Sequence, residues 1–225
     1  MAYFSKVLHI CMKDLKVEVR SKERIYSMMV FSLLVMVIFN FAFDPGAEYI
    51  REVAPGILWV ALIFSATLGL NKTFAAEIDQ DCLQGLMLSP MDRTGIYFGK
   101  VISNILFSLI ISLLTLPFFA VFFNIPLLDV LPQLVLVISL TIIGFISVGT
   151  LFSAISVSVK GGDMMLPLLL FPIEVPVIIA AVKATGMILD GAPMMDYSMW
   201  LKVLTLFDVI FVMIAFVTFE YLIEE

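Results

Sequence analysis

The stretch VLPQLVLVISLTIIGFISVGTLFSAISV, Val130–Val157, contains no charged side chain and indicates the fold class. As an α-helix rising about 1.5 Å per residue, it is long enough to cross the roughly 30 Å hydrocarbon core of a bilayer. Similar apolar runs recur along the 225 residues, of which 62% are hydrophobic and 14% are charged. This pattern predicts an all-α polytopic membrane protein, since the short alternating segments typical of a membrane β-barrel are not visible.

Proline, glycine and charged clusters divide the chain into six such blocks. The predicted transmembrane helices are Ile25–Phe43, Pro55–Phe74, Ile96–Phe123, Val130–Val157, Met164–Val182 and Trp200–Ile223. The predicted organisation is an interfacial segment at 1–24, a transmembrane domain at 25–223 with an outer loop at 183–199, and a cytoplasmic end at 224–225. Because a charged segment precedes the first apolar run, we expect that segment to be retained rather than removed as a signal peptide.

The positions of the cations predict the orientation. Ten of the 13 Lys and Arg residues fall on the side of the N-terminus, and three, Arg51, Lys183 and Lys202, fall on the other side. The positive-inside rule therefore places both termini in the cytoplasm. Cys11 and Cys82 then lie on the reducing side, where we expect neither a structural disulfide nor a metal site.

Residues 1–24 are predicted to form an amphipathic helix in the cytoplasmic leaflet. At about 100° per residue, the chain presents one apolar and one basic face. The apolar face comprises Phe4, Val7, Leu8, Cys11, Met12, Leu15 and Val19, and the basic face comprises Lys6, His9, Lys13, Lys16 and Arg20. Such a helix directs its cations toward lipid head groups or a partner, and the chain then turns at Ser21–Arg24 into the first span.

A second amphipathic segment, EIDQDCLQGLMLSP at Glu77–Pro90, separates the second and third spans. Its two predicted faces are Glu77, Asp81 and Gln84 on one side and Ile78, Cys82, Leu83, Leu86 and Met87 on the other. Pro90 ends the predicted helix after Ser89. Acidic side chains suit a basic protein groove better than an anionic lipid surface, but a solvated loop explains these residues equally well.

Two stretches carry a resemblance to a known family. DCLQGLMLSPMDRTGIYFGK, Asp81–Lys100, and LPLLLFPIEVPVIIAAV, Leu166–Val182, resemble the haem exporter protein B (CcmB) family, the ABC-2-type membrane subunit of cytochrome c biogenesis. The resemblance in architecture covers essentially the whole chain. It implies a permease subunit that is not itself an enzyme, and the sequence agrees in having no G-x-x-x-x-G-K-[ST] motif for ATP.

The same resemblance implies that 76–90 is a coupling helix seated in a groove of a separate cytosolic ABC ATPase, which binds ATP. The residues implied at this interface are Glu77, Asp81, Leu83, Leu86, Leu88, Ser89 and Pro90. Further implied partners are a haem-handling membrane protein, a periplasmic haem chaperone, membrane lipid and a second copy of the chain, in the bacterial inner membrane and without nucleic acid. The resemblance implies either that haem is the cargo or that the complex releases a haem-loaded chaperone. No cofactor-binding or metal-binding residue is assigned.

Glu174 departs from the apolar or neutral residue expected at its position in the family. An acid within a span is costly and usually faces protein or water, and Pro172 and Pro176 beside it free backbone carbonyls. The three residues are therefore candidates for a kink or gate, and a buried acid bonded to a neighbouring helix is the alternative. Asp208 is interpreted as marking the outer interface.

Other functions remain open at this point. An ABC-2-type exporter of lipid, polysaccharide or drug would share the fold. A secondary transporter predicts paired intramembrane acids or inverted repeats, and Glu174 has no obvious partner in the sequence. A membrane scaffold that transports nothing would leave the pattern at 76–90 without a purpose.

Overall fold

The computed structural model describes residues 2–43, 50–79, 93–157 and 165–222. These residues form helices α1 (Ala2–Ser21), α2 (Glu23–Ala42), α3 (Ile50–Asp79), α4 (Arg93–Phe123), α5 (Leu131–Val157), α6 (Met165–Leu189) and α7 (Met194–Leu222). Each helix from α2 to α7 contains a stretch long and apolar enough to span a membrane, which confirms the six predicted spans. Helices are expected here because a backbone surrounded by lipid must satisfy its own hydrogen bonds.

The break between α1 and α2 falls within the predicted turn. Lys22 adopts a left-handed conformation with φ of 57°, and α2 begins at the next residue. The chain therefore changes direction before it enters the first span, as the charged cluster at Ser21–Arg24 predicts. The position of α1 at the membrane surface stays a prediction.

The helices α3 and α5 occupy the centre of the bundle. In each, 72% of the span is buried, compared with 22% in α2 and 17% in α7. Gly149 of α5 lies so close to Leu70 of α3 that an added Cβ would collide with the leucine side chain. Ser153 donates a hydrogen bond to the Leu70 carbonyl at 2.8 Å, so a small residue and a hydroxyl together hold these two helices in close contact.

The structure corrects the outer loop predicted at 183–199. Helix α6 continues to Leu189 and α7 begins at Met194, so only 190–193 connect them. The Ala, Met, Ile and Leu residues after Lys183 are favourable in helices, and the single glycine among them does not end α6. The helix ends where Gly191 adopts a φ of +77°, a conformation that favours glycine.

The predicted coupling helix falls mostly outside the described residues. Its first residues, 76–79, belong to the last turn of α3. That helix extends to Asp79, beyond the predicted end of the second span at Phe74. The other candidate interface residues, Asp81, Leu83, Leu86, Leu88, Ser89 and Pro90, lie outside the part of the chain that the structure describes. Their role therefore stays a prediction, while the helices on both sides of them are defined.

Candidate functional site

The C-terminal end of α3 and the N-terminal end of α4 flank the predicted coupling segment, and a buried lysine ties them together. Lys100 of α4 donates a hydrogen bond from Nζ to the Thr73 carbonyl of α3 at 3.1 Å. The Lys100 side chain is almost completely buried, although the sequence indicated it only as one of the cations on the side of the N-terminus. This hydrogen bond joins the two flanks directly.

One turn further along α4, Asn104 joins four helices. Its Oδ1 accepts hydrogen bonds from Arg24 Nη2 of α2 at 2.7 Å and from the Thr73 hydroxyl of α3 at 3.4 Å. Its Nδ2 donates to the Thr150 hydroxyl of α5 at 3.1 Å. The amide is buried, and each of its two ends has a partner of the correct polarity. We call Arg24, Thr73, Lys100, Asn104 and Thr150 the cytoplasmic hub, a name that follows the predicted orientation of the chain.

The hub contains a buried guanidinium, which the neighbouring helices accommodate. Arg24 lies over the ring of Phe107, with 5.4 Å from Cζ to the ring centroid. Gly69 of α3 provides the space, because an added Cβ would lie 3.1 Å from Arg24 Nε and 2.8 Å from Met28 Sδ. The bond to Asn104 and the aromatic face together offset the cost of removing this charge from water.

Helix α1 is attached to the hub through α4. Asp14 Oδ2 lies 3.5 Å from Lys100 Nζ and accepts a hydrogen bond from the Ser103 hydroxyl at the same distance. Gly99 lets the two helices approach closely, since an added Cβ would lie 2.7 Å from Ile10 Cγ2. Helix α1 packs mainly against α4 and touches α2 only slightly.

This attachment corrects the predicted orientation of α1. Of its predicted apolar face, Val7 and Cys11 are buried, but Leu8, Met12 and Val19 are exposed. In the structure Asp14 is turned toward α4, where it contacts Lys100 and Ser103, so α1 presents to the bundle a face other than the predicted one. The exposed apolar side chains lie beside exposed Lys13 and Lys16, a mixed surface that suits lipid head groups.

Glu18 lies where α1 meets the start of α2. Burial raises the pKa of its carboxyl group, and the charge of Arg24 and a hydrogen bond from the Arg24 backbone oppose this effect. Glu18 therefore belongs to the surroundings of the hub rather than to a solvated charged face. Together, α1 to α5 all contribute polar groups at this end of the bundle.

Sequence reasoning missed the hub because it counted Arg24 and Lys100 only as topological signals. One signal was available: Lys100, Asn104 and Ser108 recur every fourth residue along α4, and all three are buried. A polar stripe with this spacing on an apolar helix indicates a face that packs against other helices.

A second polar site lies within the membrane spans. Glu174 of α6 is completely buried, and the structure gives neither carboxylate oxygen a hydrogen-bond partner among the described residues. Asp208 of α7, also buried, lies close enough to act on Glu174 electrostatically. Gly144 of α5 accommodates it, since an added Cβ would lie 2.5 Å from Asp208 Oδ1.

This pair corrects two interpretations. Asp208 lies midway along α7 and inside the bundle, not at the outer interface. It is also the intramembrane neighbour that the sequence did not reveal for Glu174, because spacing along the chain does not predict which spans are adjacent. Pro172 and Pro176 are exposed, so of the three gate candidates only Glu174 faces the interior, and α6 is helical through all three.

Comparison with known proteins identifies the family. A family model described as CcmB protein matches residues 5–223. Heme exporter protein B of Pseudomonas aeruginosa is 29% identical over 177 residues, which cover 79% of each chain. Heme exporter protein B of Paracoccus denitrificans is 26% identical over 197 residues, 88% of this chain and 90% of its own. Since the family model covers nearly the whole sequence, this chain belongs to the CcmB family.

Proposed function

We propose that this chain is the membrane permease subunit of an ABC transporter complex for haem delivery in c-type cytochrome biogenesis. The match to the CcmB family over residues 5–223 supports this function, as do the relatives named Heme exporter protein B. The six spans fit a multi-pass transport subunit. An exporter of lipid, polysaccharide or drug would share the fold, but no observation favours it.

In this proposal, a separate cytosolic ATPase hydrolyses ATP and moves the coupling segment 76–90. The cytoplasmic hub is the observation that carries the mechanism. Lys100 and Asn104 bond to Thr73, so the flanks of the segment, α3 and α4, move as one body. Bonds from Asn104 to Arg24 and Thr150 extend that movement to α2 and α5. The coupling is therefore a rigid-body displacement of packed helices rather than a local loop movement.

The cycle ends in the export of haem or in the release of a haem-loaded periplasmic chaperone. We favour release of the chaperone. The single histidine of the chain, His9, lies in α1 and outside the spans, so no span offers an imidazole to haem iron. The bundle centre is filled by large apolar side chains such as Trp59, Phe119 and Phe145.

The proposal includes the assembly and its location. Six spans form half of a translocation unit, so we propose a homodimer that binds two ATPase subunits. A haem-handling membrane protein and the chaperone complete the complex. We place it in the bacterial inner membrane with both termini in the cytoplasm, because most cations lie at that side of the chain.

The coupling interface is tested by reversing its chemistry. Asp81→Lys and Leu86→Asp each remove a feature that a basic groove with an apolar floor would bind, so both variants should lose co-purification with the ATPase. The measurement is affinity purification of the tagged chain from membranes, with the ATPase quantified by immunoblot and cytochrome c yield measured in the same cells.

The matched control is Asp196→Lys, which makes the same change at an exposed acid in the first turn of α7. It should retain the ATPase. Normal membrane insertion of all three variants excludes a folding defect. Unchanged co-purification in Asp81→Lys and Leu86→Asp would contradict the docking of 76–90 on the ATPase.

A further inference from the structure

The two intramembrane acids lie at matching depths on adjacent helices. Glu174 lies roughly 22 Å along α6 from the end of that helix at Leu189, and Asp208 lies roughly 21 Å along α7 from its start at Met194. Helices α6 and α7 pack against each other, and both pack against α5. The two carboxyl groups therefore lie at similar depths, well inside the bundle rather than at either end of it.

No cation accompanies this pair in the described part of the chain. Helix α5 carries no ionisable side chain at all over Leu131–Val157. The charged residues of α3 lie near its two ends, and Lys100 of α4 lies at the cytoplasmic hub. The lysines that share helices with the two acids, Lys183 and Lys202, lie toward the outer ends, and their side chains are exposed.

Burial without a cation determines the charge that Glu174 can carry. An ionised carboxylate enclosed in protein and lipid is strongly unfavourable unless a cation or several hydrogen-bond donors compensate it. Among the described residues, both oxygens of Glu174 lack such donors, and the side chain that acts on it electrostatically, Asp208, is itself an acid. Two like charges on adjacent helices disfavour simultaneous ionisation, so a bound proton is the simplest compensation.

The space around the pair is shaped for carboxyl groups. Gly144 leaves a notch that Asp208 Oδ1 fills, and any side chain at position 144 would displace it. An apolar residue would pack α6 against α7 without the cost of burying acids, so simple packing does not account for them. The notch holds the Asp208 carboxyl group in place, and the two buried, unpartnered oxygens of Glu174 are the observation that points to a ligand.

We propose that Glu174 and Asp208 form a proton-binding site between α6 and α7. One proton from water binds a Glu174 oxygen when the helices close around it, and the same proton returns to water when they separate and the carboxyl group becomes hydrated. The site thus couples the packing of α6 on α7 to protonation. This inference goes beyond the proposed transport function and does not depend on the cargo.

The site is tested by infrared spectroscopy of the full-length chain in lipid nanodiscs. The C=O stretch of a protonated carboxyl group lies at higher frequency than the bands of carboxylates. We expect this stretch to persist at about pH 6, roughly two units above the ordinary pKa of exposed acids. Glu174→Gln should remove it, whereas Glu52→Gln, at an exposed acid in the first turn of α3, should leave it unchanged.

Two further measurements keep the test decisive. Asp208→Asn leaves Glu174 in place and should retain the band. If both variants elute as the wild type does, loss of the band in Glu174→Gln cannot be attributed to misfolding. The folded state binds a proton that the unfolded chain has released, so the thermal unfolding midpoint of the wild type should fall as pH rises. Glu174→Gln should flatten this dependence.

Three results would overturn the proposal. The band could be absent from the wild type at about pH 6, which would mean that Glu174 is ionised well inside the membrane. It could survive in Glu174→Gln, which would assign it to another acid. Addition of Na⁺ at constant pH could abolish it, which would identify a metal cation rather than a proton as the ligand.

Discussion

Asn104 is the residue on which the cytoplasmic hub depends. Its amide accepts a hydrogen bond from the buried guanidinium of Arg24 and donates one to Thr150, so it compensates a charge and joins α4 to α5. An aspartate would introduce a second charge, and an aliphatic residue would leave Arg24 without its acceptor. Few side chains can therefore replace it at this position.

Asn104→Leu should lower the free energy of unfolding by roughly 2 kcal/mol, the range expected for loss of a buried hydrogen bond to a charged group. The measurement is unfolding of the purified chain by denaturant in mixed micelles. The double variant Arg24→Met, Asn104→Leu should be more stable than the sum of the two single changes predicts, because it removes the charge along with its acceptor. Strict additivity would contradict the pairing of Arg24 with Asn104.

The limits of prediction from sequence are clear for individual residues. Glu174 is conspicuous because it interrupts an apolar span, and the structure buries it completely. Asp208 was misplaced and Arg24 was misinterpreted for one shared reason. The role of an ionisable residue in a membrane protein depends on which helices are neighbours, and hydropathy along one chain does not contain that information.

Helix α1 is an element that sequence predicted well in extent and poorly in orientation. Its helical structure and the turn within Ser21–Arg24 were correctly expected. Its packed face was not, because the ion pair of Asp14 with Lys100 and the close approach at Gly99 outweigh burial of Leu8 and Met12. In a bilayer those leucine and methionine side chains lose little by remaining outside, since lipid is as apolar as the protein interior.

Gly99→Ala should loosen α1 from α4. Its Cβ would lie 2.8 Å from Ile10 Cβ and 3.2 Å from the Val7 carbonyl oxygen, so the helices must separate. Cys11 reports the change, because it is buried in this contact and burial, assisted by the charge of Asp14, raises the pKa of its thiol. In a Cys82→Ser background, maleimide labelling of Cys11 at neutral pH should accelerate several-fold.

The matched control for this experiment is Gly56→Ala in α3, where an added Cβ meets no atom within 4 Å. It should leave the labelling rate of Cys11 unchanged. Equal labelling rates in Gly99→Ala and the wild type would mean that α1 is not held by its close approach to α4.

At the scale of the whole molecule, the bundle has a buried centre and two largely exposed spans. Helices α2 and α7 are the least buried, and the exposed side chains of both are mainly apolar. Sequence predicted the six spans and their approximate bounds because hydropathy is set by the surrounding lipid. It could not predict the order of the spans around the centre, which depends on particular contacts such as Gly149 with Leu70.

We expect the complex to contain two copies of this 25.1 kDa chain. Native mass spectrometry of the complex extracted with the ATPase should give two copies of each subunit, because each copy of 76–90 occupies one ATPase groove in the proposed mechanism. Tagged and untagged chains expressed together should co-purify as an independent check. A single permease chain per complex would contradict the half-unit interpretation.

The contact between α1 and α4 also constrains the order of events during synthesis. Tyr3 donates a hydrogen bond to Thr94, and Ser103 donates one to Asp14; these partners are 91 and 89 positions apart in the chain. Helix α1 leaves the ribosome first, yet its docking surface exists only after the third span has been inserted. Until then Asp14 has its ion pair with Lys13 but not its contact with Lys100, and neither Arg24 nor Lys100 is enclosed. We therefore expect these cations to act as orientation signals before tertiary folding encloses them.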